Sequence, residues 1–176
     1  MRKLIKQTAL TVLLVTVFLH TAFAANGLPR GILKLDGRDA PLLKLKNLDG
    51  DVWNIDSARG HWVFVHFWAS WCGPCRKEMP TIQAIIPKFE NTNLKIVLIN
   101  TAESYDTAFG FIGSIAPELD TLLDTDGQTT ERWQPRGLPS TYFVDPKGKL
   151  RYLALGGRAW NDPVYLDFLH SLIKQR

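Results

Sequence analysis

Cys72 and Cys75 are the only thiols in the chain, and they stand two residues apart in Trp71-Cys72-Gly73-Pro74-Cys75. At that spacing the pair can close a small disulfide ring and reopen as a dithiol. Structural disulfides mostly join distant segments, where closing a long loop removes more entropy from the unfolded chain. A ring this short constrains little, so the spacing favours a working redox pair over a staple. Gly73 tolerates a tight turn, and Pro74 suits the first turn of a helix. A thiol at a helix N-terminus faces unpaired backbone N–H groups and the positive end of the helix dipole. Both stabilise the thiolate, which is the nucleophile of disulfide exchange. Metal binding is the competing chemistry. Two thiolates supply half the ligands of a structural zinc site, and no His-rich pattern nearby completes it. Neither a metal nor another cofactor is expected.

Several elements must position this pair. Trp62 to Trp68 is almost continuously apolar, β-branched or aromatic, which suits a central strand covered on both faces. It delivers the chain to Cys72, and in open α/β sheets sites are built just beyond such strand ends. After Cys75, the spacing of Met79, Ile82, Ile86 and Phe89 predicts a helix, with Pro80 expected to kink it. Lys95 to Asn100 reads as a second buried strand. Tyr105, Phe109, Ile112 and Ile115 mark an amphipathic helix, Thr121 to Leu123 a short strand, and Thr129 to Trp133 a brief helix. Upstream, two short runs, 42–45 and 52–55, flank Asp49-Gly50 and predict a hairpin. Downstream, strands 140–145 and 149–155 flank Pro146-Lys147-Gly148. Asp162-Pro163 then starts a helix carrying Tyr165, Leu169, Leu172 and Ile173 on one face. Hairpin, β-α-β-α-β, hairpin and helix make an α/β sandwich with a mixed sheet.

The first residues read as a targeting segment. Arg2, Lys3 and Lys6 precede a largely apolar run from Ala9 to Phe23, and Ala22-Phe23-Ala24 offers a cleavage site. Residues 1–24 are therefore expected to be a signal peptide, with an uncleaved membrane anchor as the alternative. Residues 25–39 are expected to be a loose lead-in, and 40–176 a single domain. Its length suffices for a hydrophobic core without disulfide staples. A 45% hydrophobic, 22% charged composition excludes disordered and fibrous classes. Removing residues 1–24 leaves 18 Lys and Arg against 17 Asp and Glu, so the basic excess of the whole chain says little about polyanions. No nucleic acid is expected as a partner.

The segment Phe67-Trp68-Ala69-Ser70-Trp71-Cys72-Gly73-Pro74-Cys75 resembles the active-site stretch of thioredoxin-fold proteins. Its continuation, Arg76-Lys77-Glu78-Met79-Pro80, narrows the resemblance to the extracytoplasmic TlpA/ResA-like thiol–disulfide oxidoreductases. Gly137-Leu138-Pro139-Ser140-Thr141-Tyr142-Phe143-Val144-Asp145 is similar to that branch's second signature. The resemblance implies a thioredoxin-like sandwich: a central mixed β-sheet flanked by helices, with an N-terminal β-hairpin and a central insertion. It also implies a cis bond before Pro139, placing Leu138 and Pro139 where a partner's extended chain binds.

By the same resemblance Cys72 is the attacking cysteine, exposed at the helix start, and Cys75 the buried resolving one. Gly73 and Pro74 set the turn, while Trp71 and Trp68 shape the surface and packing around it. Glu78 matches an acidic residue that tunes the thiols or moves protons, the alternative being a solvated glutamate on the helix surface. His66 stands where thioredoxins proper keep a buried Asp beneath the disulfide. It is either a satisfied core histidine or a group that changes charge with the thiols near neutral pH. The run Trp133-Gln134-Pro135-Arg136 departs from the family's pattern. The implied function is reduction of disulfides in exported proteins, apocytochrome c or other envelope clients, by an extracytoplasmic, monomeric protein resupplied by a membrane electron donor. A thiol peroxidase is the enzymatic alternative, although Ala69 stands where such sites carry Thr or Ser. A copper metallochaperone using the same cysteines is the non-enzymatic one.

Overall fold

The computed structural model describes residues 27–175; the expected signal peptide or anchor, residues 1–24, lies outside them. The elements, in chain order, are β1 (Ile32–Lys34), β2 (Lys44–Asn47), β3 (Val52–Asn54), β4 (Trp62–Trp68), α1 (Gly73–Gln83), α2 (Ile86–Phe89), β5 (Leu94–Thr101), α3 (Tyr105–Ile115), β6 (Leu122–Asp124), α4 (Gln128–Trp133), β7 (Ser140–Val144), β8 (Leu150–Leu155) and α5 (Pro163–Ile173). The strands form one mixed sheet in the order β1-β8-β7-β4-β5-β6-β2-β3. β4 runs parallel to β5 and antiparallel to β7, and all seven of its residues are buried.

Alternation along β4 divides the interior between the two faces of the sheet. Phe64 and Trp68 belong to a core with Cys72, Cys75, Met79, Trp160 and Leu169. Val63, Val65 and Phe67 belong to a second core with Leu43, Trp133 and Tyr142. A strand buried on both faces must be apolar on both, which is why Trp62–Trp68 shows no polar alternation except at His66.

Three expectations need correction. The lead-in is not loose, because Ile32–Lys34 pairs antiparallel with Ala154, Leu153 and Tyr152 and forms one edge of the sheet. Its three residues are too few to show a period. The single helix expected through Met79, Ile82, Ile86 and Phe89 is two: α1 carries Pro80 within it and runs to Gln83, and Ala84-Ile85 separates it from α2. Pro80 lies on the exposed side of the helix, away from the buried Cys75, Met79 and Ile82. The core face of α3 is also rotated from the expected one. Tyr105 and Phe109 are exposed and stack on each other, while Ala108, Phe111 and Ile112 are buried.

Candidate active site

The segment between β4 and α1 brings the two cysteines to the C-terminal end of the central strand. Cys72 and Cys75 form a disulfide with Cα atoms 5.2 Å apart. Cys72 is the N-cap of α1, with extended backbone dihedrals, and its Sγ accepts the Cys75 backbone N–H at 3.2 Å. Pro74 occupies the first turn, where its missing N–H costs no helical bond. The sulfur on which reduction places charge is thus already hydrogen-bonded at a helix N-terminus. Cys72 is less open than expected: in this oxidised form it is 4% exposed and Cys75 is fully buried. Trp71, 71% exposed, projects beside it instead.

Strand β7 brings Pro139 to the same end of the sheet. Ser140 pairs with Phe67 across the β4–β7 ladder, so Pro139 lies where β4 gives way to the cysteine loop. The Leu138–Pro139 bond is cis, as the resemblance implies. Pro139 is buried and its carbonyl accepts the Gly156 N–H at 2.9 Å, while Leu138, half-buried, packs against both cores. Gly157 lies beside Gly156, and a Cβ there would come within 3.2 Å of the Pro74 carbonyl oxygen. That close approach seats the loop after β8 against the Gly73-Pro74 turn.

This loop carries Trp160, whose indole N–H donates to Glu78 Oε1. Glu78 is only 2% exposed, which excludes the solvated-surface reading. It lies three residues beyond Cys75, on the buried side of α1. Burial pushes its carboxyl up to about 8, against the opposing pull of the Trp160 bond and the Arg158 charge. Glu78 therefore holds a proton at neutral pH. Its Oε2 has no hydrogen-bond partner among the described residues, and the carboxyl borders a cavity of about 270 Å³ also lined by Pro74, Lys77, Thr81 and Arg158.

His66 shares the face of β4 that carries Phe64 and Trp68, hence the face of the cysteines. It is fully buried, and its Nδ1 lies 2.9 Å from Thr141 Oγ1. Burial, reinforced by the Arg158 charge, pushes its pKa down to about 3. In this disulfide form His66 is therefore a neutral core histidine, with its proton affinity well below the neutral range. Trp160, Arg158, Gly157 and Thr141 were not singled out as site residues from sequence. Trp160 follows β8 by several irregular residues, so neither period nor spacing marks it; only the Gly156-Gly157 pair hints at a close approach.

The profile of the AhpC/TSA family matches residues 37–153. The chain is 28% identical over 155 residues to the thiol-disulfide oxidoreductase ResA of Bacillus subtilis, covering 88% of this chain and 86% of that protein. A Chlorobium tepidum structure assigned as the thiol:disulfide interchange protein DsbE superposes with a TM-score of 0.71 at 26% identity, covering 78% of this chain and 96% of that one. StoA of Bacillus subtilis, at 23% identity and a TM-score of 0.60 over 67% of this chain and 90% of its own, shares the fold. The thioredoxin-like architecture and the redox character of the cysteine pair stand on these likenesses together with the geometry.

Proposed function

The chain belongs to the AhpC/TSA family, and on that premise we propose that this thiol–disulfide oxidoreductase works outside the cytoplasm as a reductant of disulfides in other exported proteins. The observation that carries the reading is the Cys72–Cys75 pair at the N-terminus of α1, with Pro139 at the same end of the sheet. In the reduced state the Cys72 thiolate attacks one sulfur of a client disulfide. A Cys72–client disulfide forms, the client's S–S bond breaks, and its other sulfur leaves as a thiolate. Cys75, deprotonated, then attacks Cys72 Sγ. The Cys72–Cys75 bond closes, the second client sulfur leaves, and two electrons have passed to the client.

Glu78, protonated at neutral pH, gives its proton to the client thiolate that leaves, and the carboxylate so formed takes up the proton that Cys75 loses before its attack. Leu138 and Pro139 border the surface on which the client's extended chain lies. Apocytochrome c is one client of the required kind, and an envelope protein with a mispaired disulfide is another. A dithiol carrier in the membrane restores the reduced pair, and the protein acts as a monomer.

Expression of the full-length chain with Cys75→Ser, followed by acid quenching and alkylation, tests the reading. Reductase function requires client-linked mixed disulfides that disappear in the Cys72→Ser variant. A redox titration gives the direction: a potential near about −270 mV fits a reductant, and one near about −120 mV would make the protein an oxidant.

A further inference from the structure

A second acidic side chain reaches the cysteine loop from the end of β5. Glu103 lies between β5 and α3, and its Oε2 accepts the Ser70 backbone N–H at 2.8 Å and Asn100 Nδ2 at 2.6 Å. Its Oε1 accepts the Ser70 hydroxyl at 2.5 Å. Ser70 is two residues before Cys72. Asn100 is fully buried and pairs with Trp68 across the β4–β5 ladder, with its Oδ1 unpartnered among the described residues. One carboxylate thus ties together the end of β5 and the segment that leaves β4 for the disulfide.

Two neighbouring features hold this arrangement. Ala102 adopts a left-handed φ of 54°, costly for a residue with a Cβ, while its N–H donates to Asp124 at 2.9 Å. The bend falls immediately before Glu103. From α1, Arg76 Nη1 reaches the Ser70 carbonyl at 3.4 Å, and its guanidinium lies 5.1 Å above the Phe111 ring of α3. Ser70 is therefore held through its N–H, its hydroxyl and its carbonyl.

We infer that Glu103 is a positioning residue for disulfide exchange: by clamping Ser70 it holds Cys72 in its disulfide-closed place and so biases the redox equilibrium toward the oxidised form. The hydrogen bonds to Ser70 are made in the oxidised molecule, and any weakening on reduction favours the disulfide. Charge acts in the same sense, since a carboxylate near the cysteine loop opposes a thiolate at Cys72 but not a neutral disulfide. The inference rests on the thiol–disulfide reading above.

Redox titration of full-length protein against dithiothreitol, with parallel thermal melts, is the test. Glu103→Ala is expected to raise the equilibrium constant for reduction about tenfold, a shift of about 30 mV toward a more oxidising couple. Glu103→Gln keeps an acceptor oxygen for the Ser70 N–H but loses the charge, and Ser70→Ala loses one of the two Ser70 bonds. Each should give an intermediate shift, and adding Ser70→Ala to Glu103→Ala should add less than it does alone. If Glu103→Ala fails to fold, Glu103→Gln and Ser70→Ala decide. Wild-type equilibrium constants in the variants, with only the melting temperature lowered, would reduce Glu103 to a loop cap and overturn the inference. Dithiothreitol separates the two possible failures. Wild-type protein that equilibrates with it yet leaves protein disulfides intact defeats the proposed function, whereas unshifted variants defeat the clamp.

Discussion

Glu78 and His66 are ionisable groups that burial drives to their neutral forms, with opposite consequences for chemistry. Glu78 keeps a proton at the pH where the thiols must lose theirs, whereas His66 has none to give until strongly acidic conditions. Replacing Glu78 with Gln should therefore prolong the mixed disulfide formed by Cys72 by on the order of tenfold or more, read by acid quenching and alkylation. Replacing His66 with Leu should leave the pH profile of Cys72 alkylation unchanged between about pH 6 and 8, because the imidazole is uncharged throughout that range. A displaced profile would show that His66 and the thiols are coupled.

At the scale of elements, α3 decides which aromatics hold the fold. Phe111 is buried against Trp68, with ring centroids 5.1 Å apart, whereas Phe109 is more than half exposed and touches Tyr105 on the outer surface. Phe111→Ala should cost about 3–5 kcal/mol in urea unfolding, and Phe109→Ala less than about 1 kcal/mol. The sequence pattern grouped Phe109 with Ile112 and Ile115 because these three residues recur at helical spacing. Phe111 and Ala108 recur equally well, and only the position of α1 beside the helix settles which stripe faces inward. Helix α1 shows the complementary case. Its cap, its Pro74 and its apolar spacing are all local, so its start and the inward placing of Met79 and Ile82 were legible without a fold.

Across the whole molecule, Glu78 and His66 shape stability against pH from opposite sides. The folded state holds the Glu78 proton to about pH 8, and the unfolded chain releases it near 4.5. That contribution is fully present below pH 4.5 and is lost as pH rises toward 8. His66 binds a proton near 6.5 when unfolded and only near 3 when folded, so its contribution is present above 6.5 and lost as pH falls toward 3. Between 4.5 and 6.5 the two slopes offset each other. The urea midpoint should be highest in that interval and decline on both sides. Glu78→Gln should remove much of the decline above pH 6.5, and His66→Leu much of that below 4.5. A decline above pH 6.5 that survives Glu78→Gln would assign it to other groups.

The sequence by itself determined the chemistry and the local scaffold: two thiols at CxxC spacing, a helix start with Gly and Pro between them, and a doubly buried strand leading in. The hairpin around Asp49-Gly50 and the strands on either side of Pro146-Lys147-Gly148 were equally local, because turn residues and alternation are contiguous signals. Tertiary structure decided everything that depends on burial. It made Glu78 a protonated interior acid instead of a surface charge, by closing Trp160 over it from a loop more than eighty positions away. It held His66 neutral, seated Gly157 on Pro74, and tied Glu103 to Ser70 across two strand ends. A charge state depends on what surrounds a side chain, and for these residues the surroundings come from distant parts of the chain.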